Sequence, residues 1–388
     1  MSKVHILLVS FGSWPDSFKE RVNCISNRVD ELYIVKPRTR FDYESINENI
    51  TVHEVTSYES IFFYPIAVIL SIYSILRIRQ SKSTGFDVIH SLDYYIGATS
   101  ALIYSQISGI KHVASIRGLP KPIVQKDHSV LNKFHKIAFY CYFIILFSLS
   151  DFIIVKSRSE QNFLVDMRSK WEEKISIIPT GVDLSRFTPR YQESQDKLAQ
   201  NKLDKSIYDI VSTENYILYL GRINKEKGVL NLVKYFDSLN LRTNLLVIGR
   251  ASNCSYLDEI NKVGIQNDNI HIFPNWIDHT CVPPILRQAE AVALLSKDNM
   301  EGAPKIIQES LSVGTPVVAS NIPGIRYPFE NIDGIYLVDS TQKNEVTGAL
   351  KQAINTQHVD TNKVHKIFDI EICYDSVKNV YEKALNTE

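Results

Sequence analysis

Cysteine is scarce in this 388-residue sequence, and no two cysteines form a Cys-x-x-Cys pair. The five that occur are an odd number and lie far apart, at Cys24, Cys141, Cys254, Cys281 and Cys373. This spacing is not that of a disulfide framework or a zinc site. The cysteine content therefore favours a reducing compartment and predicts a cytoplasmic protein.

Net charge is absent as well. The 43 Lys and Arg residues balance the 43 Asp and Glu residues, so nothing in the overall charge indicates a nucleic-acid partner. Any site for a polyanion must therefore be local. The hydrophobic content of 44% is ordinary for a globular protein, and 388 residues exceed what one hydrophobic core usually serves. We therefore expect two domains.

A third absence is a hydrophobic run long enough to cross a bilayer. The most apolar stretches, residues 61–76 and 137–150, are shorter than the roughly 20 residues required, and Pro65 interrupts the first. Three lysines between residues 126 and 136 precede the second stretch. Two interpretations stay open: both stretches are core helices, or they form a surface that lies on anionic lipid.

Short apolar runs alternate with helical patterns along the whole chain. Thirteen candidate strands occur in order: VHILLV, LYIVK, ITVHEV, FDVIHS, KHVASI, DFIIV, ISIIP, YILYLG, NLLVIG, NIHIFP, AVALLS, TPVVAS and GIYLV. Many are continuously apolar, which is typical of strands buried on both faces of a parallel sheet. The apolar run at the N-terminus is too short for a signal peptide and predicts the first strand. We predict two doubly wound α/β domains.

The predicted domain boundary lies in a polar segment. Residues 190–215 are charged and show no apolar stripe, so they indicate a linker that is partly helical. We assign residues 1–205 to an N-terminal Rossmann-like domain and residues 206–371 to a C-terminal one. A final helix, at about 372–388, is expected to pack back on the first domain.

Ligands of open α/β sheets bind beyond the carboxyl ends of the strands. There, YILYLG ends at Gly221, which lets a ligand approach the backbone closely. Arg222 can donate two N–H groups to phosphate oxygens, and Lys227 adds a point charge. The next strand ends in the same way, at Gly249 with Arg250 beside it. These residues predict a diphosphate clamp.

The loop after NIHIFP carries an aromatic residue, Trp276, followed by Ile277. Two interpretations remain open. The main chain of these two residues binds a nucleobase, or the Trp276 side chain fills an interface.

The stretch EGAPKIIQES places Glu301 and Glu309 eight positions apart. Pro304 is expected to open a helix, because proline needs no N–H partner at that position. The backbone N–H groups expected around an anion at this helix start belong to Gly302, Ala303, Lys305 and Ile306. Glu309, on the second turn, is suited to a ribose diol, and Glu301, on the loop, to sugar hydroxyls.

Three segments, YLGRINKEKG, EGAPKIIQESLSVGTPVVASNIPG and ISIIPTGVDLSRFTP, resemble in order and spacing the retaining GT-B glycosyltransferases of the family 4 type. The resemblance implies two Rossmann-like domains facing each other across a cleft. By it, Glu309 contacts the nucleotide ribose and Glu301 the donor sugar, while Arg222 and Lys227 contact the diphosphate. It further implies a nucleotide-sugar donor, UDP favoured over GDP, and a glycan or polyprenyl-linked acceptor on the inner face of the cytoplasmic membrane.

The sequence departs from this family in its first half. Members of the family usually have a glycine-rich loop after the first strand. This sequence has SFGSWPDSFKE there, with a single glycine, Gly12, which would face the donor. Arg117-Gly118 stands where His-Gly is common, and arginine cannot act as a base at neutral pH. Arg117 could instead stabilise the leaving phosphate or an anionic acceptor. Thr180-Gly181 replaces the usual Asn-Gly.

The resemblance suggests front-face transfer without a metal, in which Arg222, Lys227 and Glu301 are catalytic. Two alternatives belong to other classes: a nucleotide-sugar isomerase or hydrolase, and a catalytically silent GT-B subunit. The isomerase would need acids and bases in the first domain. The candidates near strand ends there are His5, His53, His90, Asp93 and His112.

Overall fold

The computed structural model describes residues 4–11, 15–38, 47–55, 64–81, 85–116, 118, 130–190, 202–239, 242–297 and 301–387, without the side chains of 15–18 and 130–135. The chain divides into two compact units. The N-terminal unit comprises Met1–Pro179 and Glu371–Glu388, and the C-terminal unit comprises Thr180–Ile370. Gly12 and Arg117 lie outside the described residues.

The N-terminal unit is a parallel α/β sheet in the order β3-β2-β1-β4-β5-β6-β7. Its strands are β1 (His5–Val9), β2 (Glu31–Pro37), β3 (Ile50–Val55), β4 (Val88–Ser91), β5 (Lys111–Ser115), β6 (Phe152–Val155) and β7 (Ile175–Ile177). Its helices are α1 (Pro15–Ser26), α2 (Tyr64–Ser81), α3 (Ile96–Ser108), α4 (Val130–Leu149) and α5 (Arg158–Met167), with a 3-10 turn at Ser169–Lys174.

The C-terminal unit is a second parallel sheet, in the order β10-β9-β8-β11-β12-β13. Its strands are β8 (Tyr216–Leu220), β9 (Asn244–Ile248), β10 (Ile270–Phe273), β11 (Ala291–Leu294), β12 (Val317–Ser320) and β13 (Ile335–Val338). Its helices are α6 (Lys205–Thr213), α7 (Val229–Asp237), α8 (Cys254–Gly264), α9 (Val282–Gln288), α10 (Lys305–Ser312), α11 (Pro323–Phe329), α12 (Lys343–Ile354) and α13 (Asn362–Phe368). Two 3-10 turns, Lys225–Lys227 and His279–Cys281, follow β8 and β10.

The prediction of two doubly wound α/β domains is confirmed, since every predicted strand forms and all pairings are parallel. The reason is visible in burial. All five residues of β1 and all five of β9 are buried, as continuous apolar strands require when helices cover both faces of a sheet. The strand order changes direction between β1 and β4 in the first sheet and between β8 and β11 in the second. In folds of this kind a crevice lies at that point, beyond the carboxyl ends of the strands.

The division between the units differs from the predicted boundary at residue 205. Val182 and Phe187 are fully buried in the core of the C-terminal unit, and Val182 exchanges backbone hydrogen bonds with Phe368 and Ile370. Within the predicted linker, α6 carries an apolar stripe that the sequence analysis overlooked. Its residues Ile207, Ile210 and Val211 share one helix face and are buried in the same core.

The last helix is α14 (Ile370–Asn386), and from Glu371 onward it belongs to the N-terminal unit. Arg28 donates hydrogen bonds to Glu371 and Asp375 at 2.7 and 2.8 Å. The Tyr381 hydroxyl lies 2.6 Å from His90 Nδ1 and is buried. The C-terminal segment therefore completes the first core.

In their described residues both apolar stretches form helices, α2 and α4, and each helix has a buried face and an exposed apolar face. In α2, Val68 and Ile75 are buried, whereas Ile69 is 64% exposed. The two interpretations of these stretches thus describe opposite faces of the same helices. No helix in the described part of the chain is long and apolar enough to span a bilayer.

Candidate active site

A group of interacting side chains, which includes Lys227 and Glu301, lies beyond β8 and β11. Asn224 accepts a hydrogen bond from the Lys227 N–H at 3.0 Å and fixes the 3-10 turn that presents the Lys227 side chain. The Lys227 ammonium donates to Glu301 Oε1, and the Ser296 hydroxyl donates to the same oxygen at 2.8 Å. Both charged side chains are largely buried, at 18% and 15% exposure. The structure therefore brings together two residues that the sequence analysis assigned to neighbouring groups of one ligand.

Glycines allow the loops of this site to approach each other. A Cβ at Gly228 would lie 1.9 Å from the Leu295 carbonyl oxygen, and one at Gly324 would lie 1.5 Å from the Glu301 carbonyl oxygen. Ala303 N–H also donates to the Gly324 carbonyl at 2.9 Å. Gly324, at the start of α11, thus holds the loop that carries Glu301.

Gly249 packs closely against the end of the neighbouring strand. Its φ is +149°, and a Cβ there would lie 1.7 Å from the Gly221 carbonyl oxygen. Gly221 N–H in turn donates to the Ile248 carbonyl at 3.0 Å. The ends of β8 and β9 therefore lie against each other and leave no room for a side chain at position 249, while the contact of Gly249 with a ligand stays a prediction.

The helix start after Glu301 differs from the prediction in two details. Helix α10 begins at Lys305, so Pro304 precedes its first residue instead of occupying it. Ala303, with φ +50°, is the sole non-glycine residue of positive φ in the described chain. Its N–H is donated to Gly324, so Ala303 offers no donor to an anion. Of the other predicted donors, Gly302 and Ile306 have no protein acceptor for their N–H among the described residues.

Glu309 lies on the second turn of α10, as expected, and its side chain is 5% exposed. Its Oε1 is 3.2 Å from His279 Nε2 and 3.7 Å from Lys305 Nζ. Lys305 was predicted as a backbone N–H donor, which stays a prediction, and its side-chain ammonium makes a further approach, to Glu309. His279 was missed altogether, because a single histidine in a loop has no spacing signal.

The remaining residues of the predicted clamp are exposed. Arg222 and Arg250 are both exposed residues, and the Tyr219 hydroxyl donates to the Arg222 carbonyl oxygen at 2.6 Å. Burial raises the pKa of Tyr219 well above its ordinary value, so this hydroxyl keeps its proton. Trp276 is 54% exposed and therefore fills no core position, whereas Ile277 packs against the core of the C-terminal unit.

One predicted residue of the first half, Gly118, is held by a buried carboxylate. Its N–H donates to Glu160 Oε1 at 2.9 Å, and the Lys156 N–H donates to Glu160 Oε2 at 2.6 Å. Burial raises the pKa of Glu160. Glu160 thus links the loops after β5 and β6, a role that the sequence analysis did not identify.

Two family models together match most of the chain. The model described as "Glycosyltransferase Family 4" matches residues 22–186, and that described as "Glycosyl transferases group 1" matches residues 200–367. The chain belongs to the GT-B glycosyltransferases. Each model covers the larger part of one structural unit, so the assignment rests on both halves of this glycosyltransferase.

Relatives of this glycosyltransferase include the "Capsular polysaccharide biosynthesis glycosyltransferase CapM" of Staphylococcus aureus, 22% identical over 70% of each chain. The "UDP-Gal:alpha-D-GlcNAc-diphosphoundecaprenol alpha-1,3-galactosyltransferase" of Escherichia coli is 24% identical over 54% of each chain. The crystal structure of Anabaena Alr3699/HepE in complex with UDP-glucose aligns with a TM-score of 0.71 and 15% identity, over 98% of this chain and 99% of that one. That structural likeness supports the GT-B fold.

Proposed function

We propose that the chain transfers a sugar, with retention of anomeric configuration, from a UDP-sugar to a hydroxyl of a lipid-linked glycan in bacterial surface polysaccharide synthesis. The observation that carries the proposal is the contact of Lys227 and Ser296 with Glu301. Glu309 follows eight positions later on α10, where its side chain is only 5% exposed. In this assignment Glu309 binds the ribose, Glu301 the donor sugar, and Arg222 with Lys227 the diphosphate. UDP is favoured because HepE was crystallised with UDP-glucose and the Escherichia coli relative is named for UDP-Gal.

The Lys227–Glu301 pair supplies the chemistry of the donor half. When a donor binds, the diphosphate competes with Glu301 for the Lys227 ammonium, and Glu301 turns to the sugar hydroxyls. The bond between the anomeric carbon and the phosphate oxygen then breaks, while Arg222 and Lys227 stabilise the negative charge that develops. The acceptor oxygen bonds to the anomeric carbon from the same face, and its proton passes to the leaving phosphate. The two cations take the part that a metal ion has elsewhere, so the transfer is proposed to be metal-independent.

The isomerase alternative needs free acids and bases in the N-terminal unit, and four of the five candidates there have structural partners. His5 Nδ1 lies 3.2 Å from the Gly85 carbonyl oxygen. His90 and His112 each lie between two hydroxyl groups. Asp93 accepts the backbone N–H groups of Phe11, Tyr95 and Gly97. These contacts favour the transferase. Glu301, Glu309 and Lys227, present and in contact with partners, weigh against a silent subunit.

Thermal shift with UDP, GDP and their sugar conjugates tests the donor assignment. A ligand at 100 times its Kd stabilises the folded state by about 2.7 kcal/mol, so the preferred nucleotide raises the Tm most. UDP-glucose hydrolysis tests the stereochemistry without an acceptor. NMR should detect α-glucose before mutarotation, and β-glucose as the first product would exclude retention. Turnover should survive a chelator such as EDTA.

A membrane partner is proposed from the exposed faces of α2, α3 and α4. Ile66, Ile69 and Tyr73 lie on one side of α2, spaced three and four residues apart. Helix α2 packs against α3, and α3 packs against α4. Helices α3 and α4 add four exposed isoleucines and one exposed leucine: Ile103, Ile107, Ile137, Ile145 and Leu149. We name these residues the apolar helix face. Arg77, over the Tyr73 ring at 5.5 Å, and Lys136 supply positive charge beside it. This composition suits an anionic bilayer surface on the inner face of the cytoplasmic membrane.

Flotation with anionic vesicles tests this contact. The protein should float at low salt and less at high salt, and Ile69→Glu with Ile145→Glu should reduce flotation strongly. Ile265→Glu is the matched control, because Ile265 is 85% exposed but belongs to the C-terminal unit. Equal flotation of all variants, or none of the native protein, would exclude the proposed contact.

A further inference from the structure

We infer that His279, held by Arg186, is a positioning residue that sets the orientation of the Glu309 carboxylate for a nucleotide ribose. The inference rests on the proposed function, because it takes Glu309 as the ribose ligand. All three residues belong to the C-terminal unit, and the first two lie in segments that the diphosphate and sugar assignments do not use.

The contacts of His279 determine which ring nitrogen carries the proton. An Arg186 Nη2 lies 3.3 Å from His279 Nδ1 and donates to the His279 carbonyl oxygen at 3.0 Å. A guanidinium group has donors and no acceptor, so Nδ1 must present its lone pair to it. The remaining proton is then on Nε2, which points at Glu309 Oε1 from 3.2 Å. The imidazole therefore donates to the carboxylate.

The backbone around His279 is fixed by its own turn. Asp278 Oδ1 accepts the Thr280 N–H at 2.8 Å and caps the 3-10 turn His279–Cys281. The Phe187 ring packs on the imidazole, with centroids 5.7 Å apart and planes tilted by 51°. The imidazole thus has little freedom to rotate away from Glu309.

The backbone at Arg186 is held in place by Arg287. Arg287 Nη1 donates to the carbonyl oxygens of Thr188 and Arg186 at 3.0 and 3.3 Å. Arg287 lies on α9, and this helix follows directly on the turn that carries His279. A chain of contacts therefore runs from α9 through Arg186 and His279 to the carboxylate.

The contacts leave one oxygen of Glu309 for a ligand. Both of its partners in the described chain, His279 Nε2 and Lys305 Nζ, approach Oε1. Each carboxylate oxygen can accept two hydrogen bonds, so Oε2 keeps its full capacity for the two hydroxyls of a ribose. Without His279, the Glu309 carboxylate loses the one neutral donor that it has among the described residues and can turn toward Lys305. A second partner of this kind fixes the orientation of a binding group, as outer-shell partners do for the ligands of metal ions.

Calorimetry with UDP and 2′,3′-dideoxy-UDP on the full chain tests the inference, since the second ligand lacks the hydroxyls that Glu309 would bind. The native protein should prefer UDP by at least about tenfold, because hydrogen bonds to a carboxylate are strong. His279→Ala should lower the affinity for UDP by about tenfold and the affinity for dideoxy-UDP by less than about twofold. His279→Gln should stay within about threefold of native, because the glutamine amide can donate from near the Nε2 position.

His271→Ala is the matched control, because His271 is a half-buried histidine on β10 that bonds to Asn244 and not to the site. It should leave both affinities unchanged, and the Tm of every variant is measured to show that it folds. Equal losses for the two ligands in His279→Ala, or tighter UDP binding, would overturn the inference while the nucleotide site stands. A native protein that binds neither ligand would overturn the inference together with the UDP assignment.

Discussion

In the N-terminal unit the buried histidines of β4 and β5 bond to hydroxyl groups, whereas beyond β8 and β11 of the C-terminal unit a lysine bonds to a glutamate. His112 lies between the hydroxyls of Ser91 and Ser150, at 3.0 Å from each. Lys227 and Glu301 lie in direct contact in the C-terminal unit. Neutral groups that satisfy one another hold strands together, while paired charges can exchange partners for those of a ligand. At these two places the polar side chains differ in their partners: those of β4 and β5 bond to one another, whereas Lys227 and Glu301 form the pair that we propose exchanges its contact for a ligand.

The largest effect expected is on the backbone that supports the charged site. Gly249→Ala should lower the free energy of unfolding by about 3 kcal/mol or more, because its methyl group would overlap the Gly221 carbonyl and the native φ is unfavourable for alanine. Gly348→Ala is the control, since Gly348 is exposed inside α12 with nothing within 4 Å of the added carbon. It should raise stability by about 0.5–1 kcal/mol. Denaturant unfolding measures both, and similar small changes would contradict the packing role of Gly249.

The charged site should respond next. Lys227→Ala and Arg222→Ala should each lower turnover of UDP-glucose by about 10²-fold or more, as removal of one charge-stabilising donor does in other enzymes. Lys225→Ala lies in the same 3-10 turn but on its exposed side, and should leave turnover nearly unchanged. If all three variants had equal turnover, the positive charge of the loop would have no specific role.

The burial of His112 between Ser91 and Ser150 should make stability depend on pH. Burial lowers the pKa of His112 to about 3, below the value of about 6.5 in an unfolded chain. The unfolded state therefore binds a proton that the folded state excludes, so stability is full above pH 6.5 and falls as the pH drops toward 3. At pH 5 the loss should be about 2 kcal/mol.

Chemical denaturation between pH 7.5 and 5 measures this loss. His112→Asn removes the titrating group, and its pH slope should be shallower than that of the native protein by about one proton. Parallel slopes would show that His112 is protonated in the folded state or does not control stability.

The sequence predicted the fold because its signal is local and repeated. Continuous apolar strands such as NLLVI can be buried only between two layers of helices, and this constraint holds at every strand. Glu309 on the second turn of α10 was likewise predictable from helix geometry. The stripe of α6 was hidden because only Ile207, Ile210 and Val211 mark it within a polar segment.

The rest of the site depends on contacts between distant segments. His279 reaches Glu309 over 30 positions and Arg186 over 93, so no motif spacing could reveal either contact. The role of Gly249 depends on the carbonyl of Gly221 on the neighbouring strand. The sequence indicates which residues carry charge, whereas the tertiary fold decides which of them pair.

The most direct test of the account compares Glu301→Gln and Glu309→Gln by calorimetry with UDP and with UDP-glucose. If Glu309 binds the ribose, its substitution should lower the affinity for both ligands alike, by about tenfold or more. If Glu301 binds only the sugar, its substitution should leave UDP affinity within about twofold of native and lower turnover of UDP-glucose, since that contact strengthens as the sugar becomes cationic. Equal affinity losses for both ligands in both variants would contradict the division of labour between the two glutamates.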